Sequence, residues 1–257
     1  MSLVDILIMA GVAGGASVLG GFITTIRKPS EEATALTLGF AGGALLAAIA
    51  FELVAGALER APIWLAAAGA LVGLFFIFGF DVALHAWPPA LIHEGRPAPR
   101  LHRRLGGRED RGVLLAAGIA LEELVEGAAI GLGAAGDVRL GLIIALTIAV
   151  DNFAEGLAIG AVMQNRGRAR KRAMARTLGW TSLIGGTVVV AALTAWVLFS
   201  GAGREVVAIL LSFVAGGLLY LTITQIIPGA QVLRHEREVG ISAGLGFIAV
   251  LVLSSLV

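Results

Sequence analysis

Long apolar stretches separated by short polar interruptions set the rhythm of this chain, and each stretch is about as long as a bilayer demands. A helix that crosses the hydrocarbon layer needs about 20 mostly apolar residues. Eight such stretches are present: Val4 to Ile26, Ala35 to Leu58, Ile63 to Trp87, Val113 to Ala135, Leu140 to Met163, Thr177 to Ser200, Val206 to Ile227 and Val239 to Val257. The pattern predicts an all-α integral membrane protein with eight transmembrane helices, which we call spans one to eight. A single transmembrane domain then covers residues 1–257, with its longest connection a loop at 88–112. The start, Met1-Ser2-Leu3-Val4-Asp5, has no basic region before its apolar run, so the first span reads as structural rather than as a cleaved signal.

Composition sharpens this. Of the 257 residues 58% are apolar, a further 36 are glycine and only 14% are charged, against roughly 25% charged in ordinary soluble domains. A soluble enzyme is excluded. The net charge of +1 offers no global attraction for nucleic acid, so the expected partner is the lipid bilayer and nucleic acid is not one. With no cysteine, disulfides, zinc ribbons and thiol chemistry are excluded as well.

The 19 basic residues are strongly patterned. Two fall between spans one and two, six between three and four, six between five and six, and two between seven and eight; Arg60, Arg139 and Arg204 stand alone on the other side. By the positive-inside rule this asymmetry makes the basic loops cytoplasmic and both termini extracytoplasmic, in a multi-pass protein of the plasma or inner membrane. The run Arg166, Arg168, Arg170, Lys171, Arg172 is accordingly a topology signal rather than a nucleic-acid patch. The loop from Pro88 to Gly112 contains Pro88, Pro89, Pro97 and Pro99 and reads as a mobile cytoplasmic linker, in which His93 and His102 with Glu94 offer a transient metal capture point.

Two internal repeats organise the spans. Ile119 to Gly131, IALEELVEGAAIG, matches Ile148 to Gly160, IAVDNFAEGLAIG, at seven of thirteen positions, so spans four and five are related although they cross the membrane in opposite directions. A fainter match aligns Phe40 to Ala57 of span two with Phe213 to Ala230 of span seven. Together they predict a 3+2+3 arrangement, a central pair flanked by inverted three-helix units. Gly127 with Gly131 and Gly156 with Gly160 give each central span a GxxxG step for close backbone approach.

The chemistry sits beside those glycines. Glu122, Glu123 and Glu126 lie near the middle of span four, Asp151 and Glu155 near the middle of span five, and no lysine or arginine lies at that depth. Each carboxylate at the bilayer centre costs roughly 2.5 to 3.5 kcal/mol even on a lenient insertion scale, so protons or bound cations must neutralise them. Spacing favours cations: Glu122 with Glu126 and Asp151 with Glu155 are i, i+4 pairs, and Glu123 with Glu126 is i, i+3, so each set stacks on one helix face. Two facing helices then close several oxygens around one or two ions. The alternative is a set of protonated acids that hydrogen-bond helix to helix. Asn152, in the repeat position of Glu123, supplies either an amide oxygen to the ion or a helix–helix hydrogen bond. Glu52 lies toward the outer mouth, where it gates or attracts cations, and its repeat mate Gln225 lies toward the cytoplasm; Asp81 and His85 are i, i+4 near the cytoplasmic end of span three, a satisfied pair or an exit site.

At these residues the chain resembles the ZIP (Zrt-, Irt-like protein) family of divalent-metal transporters, in particular its bacterial GufA-like branch. That family carries His-Asn-x-Pro-Glu-Gly motifs on its fourth and fifth helices, where this chain has Glu122-Glu123-Leu124-Val125-Glu126-Gly127 and Asp151-Asn152-Phe153-Ala154-Glu155-Gly156. The run from Phe40 to Ala47 and the segment from Ala215 to Pro228 also look like ZIP segments. The resemblance implies eight helices in 3+2+3 order and a midmembrane metal site between helices four and five. The departures are chemical. Both histidine positions are acidic and both prolines are replaced, so the helix unwinding that the resemblance implies is not expected without a proline. A glutamate usual on the sixth helix is missing around Ile184 to Gly186, and span seven has Thr224, Gln225 and Gly229 where acids are common. The donor set is nearly all oxygen, which suits manganese or iron-like harder ions, whereas zinc is the habit of the family.

The expected function is transport of a divalent cation, zinc, manganese or iron, as substrate and not as a prosthetic group. The site is Glu122, Glu126, Asp151 and Glu155, with Glu123 and Asn152 completing a second position beside it. One bundle rocking against the other exposes the site to each side in turn, and protonation of the carboxylates aids release. The rivals are a proton or cation channel using the same acids, and a metal-binding sensor or scaffold that does not transport. An intramembrane metalloenzyme is disfavoured, since no HExxH motif occurs. A second copy of the chain, in a homodimer, is a further candidate partner.

Overall fold

The computed structural model describes residues 2–86, 108–164, 170–232 and 236–256, with side chains described over these ranges apart from 84–86, 108–121, 164 and 170. Among the described residues there is no strand. The helices are α1 (Leu3–Ile26), α2 (Glu31–Ala48), α3 (Ala55–Leu58), α4 (Ile63–Ala86), α5 (Arg108–Gly136), α6 (Val138–Gln164), α7 (Arg170–Phe199), α8 (Arg204–Leu221), α9 (Ile227–Gln231) and α10 (Glu236–Leu256). A π-helical turn at Ile49–Val54 joins α2 to α3, and another at Thr222–Ile226 joins α8 to α9. Among the described residues seven helical stretches are long and apolar enough to cross a membrane: Leu3–Ile26, Glu31–Leu58, Ile63–Ala83, Val138–Met163, Lys171–Phe199, Arg204–Gln231 and Glu236–Leu256. The 29-residue α5 accompanies them and carries three of the central acids. Trp87, His93, Glu94, His102, Arg166 and Arg168 lie outside the described residues.

Local chemistry explains the helix starts. Ser2 caps α1 in a reciprocal box with Asp5, and Ser30 accepts from the Ala33 N–H at the head of α2. Asp137, the single residue between α5 and α6, accepts from the Arg139 N–H at 2.9 Å and so starts α6 immediately after α5 ends. Glu31, Glu32, Glu205, Glu236 and Glu238 occupy first turns, where the helix dipole favours anions. The five central acids have no such support.

The helices sort into two bundles. α1, α5, α6 and α7 pack together, as do α2 with α3, α4, α8 with α9, and α10; the two groups meet along α2 with α6 and α5 with α8. Inside each bundle several glycines bring backbone against backbone. Gly14 lies against Gly185, Gly20 against Phe153 and Gly156, Gly43 against Ala243, and Gly216 against Ala70. Between bundles the glycines meet side chains, as where a Cβ at Gly217 would stand 3.7 Å from Val125 and one at Gly56 would stand 3.1 Å from Leu140. Each bundle is thus locked within itself and meets its neighbour over a softer surface.

The GxxxG steps serve this locking. Gly127 and Gly131 dock α5 on α7 at Val188 and Ala192, while Gly156 and Gly160 dock α6 on α1 at Ser17 and Thr24. The glycine faces are used outward, which leaves the acid-bearing faces of α5 and α6 to each other.

Candidate metal centre

α5 and α6 are continuous α-helix through Glu122–Glu126 and Asp151–Glu155. With Val125 and Ala154 in the proline places no N–H is removed from the ladder, so the helices stay wound and the acids project from regular i, i+4 rows. All six residues singled out by their spacing, Glu122, Glu123, Glu126, Asp151, Asn152 and Glu155, are buried, none more than 7% exposed. Glu122, Asp151 and Glu155 each place one carboxylate oxygen so that the three lie within 4.8 Å of one another, a span that one cation can fill. Glu126 faces Asp151, and Glu123 faces both Glu155 and Asn152, so the six form one continuous polar nest.

The nest is internally unsatisfied. Both oxygens of Glu123, Glu126 and Asp151, Oε1 of Glu122 and Oε2 of Glu155 have no hydrogen-bond donor. Buried acceptors without donors are rare in folded proteins, and each demands a compensating cation, proton or water. Of the two roles its sequence position left open, Asn152 makes the helix–helix hydrogen bond. Its amide N–H donates to the Ala13 carbonyl of α1 at 3.1 Å, and its Oδ1 is without a hydrogen-bond partner. Convergent carboxylates with a carbonyl oxygen are donors of the kind that suit Mg, Ca and Mn, and carboxylates also serve zinc.

The other expected residues lie elsewhere. Glu52 sits buried in the π-helical turn between α2 and α3 and accepts from the Ser254 hydroxyl of α10. Gln225 is exposed in the matching turn between α8 and α9, outside the nest. Asp81 of α4 accepts from the Tyr220 hydroxyl of α8 at 2.7 Å, inside one bundle; the His85 side chain lies outside the described residues.

Two groups carry no strong signal in the sequence. Ser17 of α1 and Thr177 of α7 are fully buried hydroxyls without partners, next to Gly156 and Gly21 respectively. Ser17 stands one helical turn from Ala13, and that i, i+4 spacing to the Asn152 acceptor is the only signal for it. The lone arginines of the basic-poor side do more than mark topology, since all three hold helix ends: Arg60 donates to the Gly56 carbonyl, Arg139 to that of Ser254 and Arg204 to that of Glu59.

Likeness to known proteins fits this geometry. Residues 93–253 match the model of the family described as ZIP Zinc transporter. The chain is 30% identical over 248 residues to the zinc transporter ZupT of Escherichia fergusonii, an alignment covering 93% of this chain and 92% of that protein. It is 29% identical over 251 residues to the zinc transporters ZupT of Salmonella newport and Salmonella typhimurium, covering 94% of this chain and 93% of theirs.

Proposed function

The chain belongs to the ZIP family of divalent-metal transporters, and on that premise we propose that it carries a divalent cation across the inner membrane through the nest between α5 and α6. As a member of a transporter family it is a carrier and not an enzyme, and the metal is its cargo. The observation that carries the site assignment is the buried convergence of Glu122, Asp151 and Glu155, with both oxygens of Asp151 and one each of Glu122 and Glu155 lacking a donor. Glu126 closes the primary site from the Asp151 side, and Glu123 with the Asn152 oxygen makes a second, adjacent position.

Zinc is the cargo that the relatives' names support. The donors, all oxygen with no histidine or sulfur, extend the range toward manganese and iron. With no nitrogen or sulfur donor to favour zinc, selection among first-row metals rests on geometry and metal availability.

The fold reading that goes with this is eight spans in 3+2+3 order with both termini outside. Three regularities support it. The shift that aligns Phe40–Ala57 with Phe213–Ala230 also carries Ile49 onto Thr222, the starts of the two π-helical turns, and Gly43 onto Gly216, each in backbone contact with a partner helix. Helix pairing respects the same exchange: α1 packs on α6 as α7 packs on α5, and α2 packs on α10 as α8 packs on α4. Rigid bundles with a softer seam suit a carrier that rocks one against the other, exposing the midplane to each side in turn.

Uptake by purified protein in liposomes tests this reading, with Zn, Mn, Fe, Cd, Co and Mg as cargo and Glu126→Gln and Glu155→Gln as variants. Saturable uptake that both variants impair supports the carrier. Flux proportional to metal concentration supports a channel, and metal binding without uptake supports a sensor.

A further inference from the structure

Among the described residues, arginines reach across the seam between the two bundles at the end marked as outer by its scarcity of basic residues. Arg139 heads α6, fixed there by its N–H to Asp137, and its Nη2 donates at 2.6 Å to the carbonyl of Ser254 near the end of α10. It thus reaches from one bundle into the other. The same Ser254 donates its hydroxyl to the buried Glu52, on which the charge of Arg139 also acts. Arg60, in the connection after α3, reaches the opposite way. It donates to Gly56 at 2.7 Å within its own bundle, and its guanidinium lies over Gly136, the last residue of α5, where an added Cβ would stand 3.2 Å from Nη2. Both arginines therefore set a cation against the carbonyl end of a helix in the other bundle, where the dipole favours positive charge.

Immediately behind these contacts the seam is closed by apolar side chains. Leu140, next to Arg139, is buried against Gly56, and Leu53 and Ile144 continue the same buried cluster toward the acids. From Arg139 to Asp151 is twelve residues of α6, about 18 Å at 1.5 Å per residue. Any ion coming from this end must pass that plug. Arg139 is itself exposed, so water can replace its partners and the contact is reversible.

We propose that Arg139 with Ser254 and Glu52, and Arg60 with Gly136, form a paired latch across the outer ends of the two bundles that seals the carboxylate nest from outside and opens once in each transport cycle. This rests on the carrier reading. Glu52 is then a latch residue rather than a cation collector, because its carboxylate is already engaged by the Ser254 hydroxyl. Arg204 differs: its bond to the Glu59 carbonyl stays within one bundle, and it serves as the control.

The chain has no cysteine, which makes introduced thiols clean reporters. With Leu140→Cys as reporter, a membrane-impermeant maleimide is applied from the extracytoplasmic side to the protein in membranes. Arg139→Gln and Arg60→Gln are each expected to raise the labelling rate at least threefold, Arg204→Gln to leave it unchanged. In a separate double variant, Arg139→Cys with Ser254→Cys, the two thiols are joined by a reductant-cleavable bis-thiosulfonate linker; zinc uptake should fall at least tenfold and return on reduction. The latch is overturned if labelling is unchanged in correctly folded variants, if it rises only from the cytoplasmic side, or if fully cross-linked protein transports at the parent rate. Should the glutamine variants fail to fold, the cross-link alone decides. Absence of zinc and manganese uptake by the parent overturns the carrier reading instead, and the labelling result still reads the latch.

Discussion

Asn152 donates its amide to the backbone carbonyl of Ala13 at 3.1 Å and leaves its oxygen buried without a partner. The same side chain ties α6 to α1 and leaves a buried acceptor without a partner. Asn152→Asp separates the two roles. It removes the amide donor to Ala13 and adds a charge to a nest already crowded with them, so we expect metal-free protein to lose about 1–3 kcal/mol of stability, with partial recovery on adding Zn or Mn. Asn152→Leu loses the same bond without adding charge, and metal should not rescue it. Thermal melting in detergent, with and without metal, distinguishes the two.

Removing one charge from the nest should stabilise the empty protein and weaken the loaded one. Glu122, Asp151 and Glu155 crowd three carboxylates into one place, with both oxygens of Asp151 and one each of Glu122 and Glu155 lacking a donor, and a buried charge without a partner is costly. Glu155→Gln and Asp151→Asn are therefore expected to melt higher than the parent without metal and to gain less from metal. For the parent, metal at 100 times its dissociation constant adds about 2.7 kcal/mol; the variants should need at least tenfold more metal for the same shift. Melting curves across a zinc and a manganese titration measure this.

The central acids were legible in the sequence because hydrocarbon permits so little. Five acids without bases at the depth of Glu122 and Glu155 leave few explanations, and i, i+4 spacing already set them on helix stripes. Spacing along one helix says nothing about its partner, however. That Gly156 would dock on α1 and Gly127 on α7, turning the glycines away from each other, depended on how four helices close into a bundle. The partners of Glu52 and Asp81 were hidden by reach: Ser254 and Tyr220, which engage them, are 202 and 139 residues away along the chain. Arg139 illustrates a further limit, since a topology count sees its charge but not that its guanidinium caps a distant helix end.

Protons and metal compete for the same oxygens. A metal-bound carboxylate must be deprotonated, so loading releases protons and apparent affinity falls as pH falls. The nest has five crowded carboxylates and no histidine, so the loss of affinity should spread over several pH units as the set titrates together rather than follow a single step. Binding calorimetry in two buffers of different ionisation heat gives the protons released per ion. A value near zero would mean that ions bind without displacing protons and that other groups neutralise the nest.

The glycine contacts make the bundles rigid, and adjacent glycines provide the control. A Cβ at Gly185 would run into the Gly14 carbonyl, whereas one at Gly186 meets nothing within 4 Å. Gly185→Ala must push α7 off α1, and overpacking of this kind costs about 1–3 kcal/mol. Gly186→Ala faces open space and gains up to about 1 kcal/mol of helix propensity. The melting temperature should fall for the first and hold or rise for the second. Because α1 carries the Ala13 carbonyl that orients Asn152, displacing α7 from α1 should also loosen the nest, and Gly185→Ala is expected to lower metal affinity while Gly186→Ala leaves it unchanged. Equal melting and equal affinity for the two variants would mean that α1 and α7 are not in backbone contact and that the bundle is looser than its glycines imply.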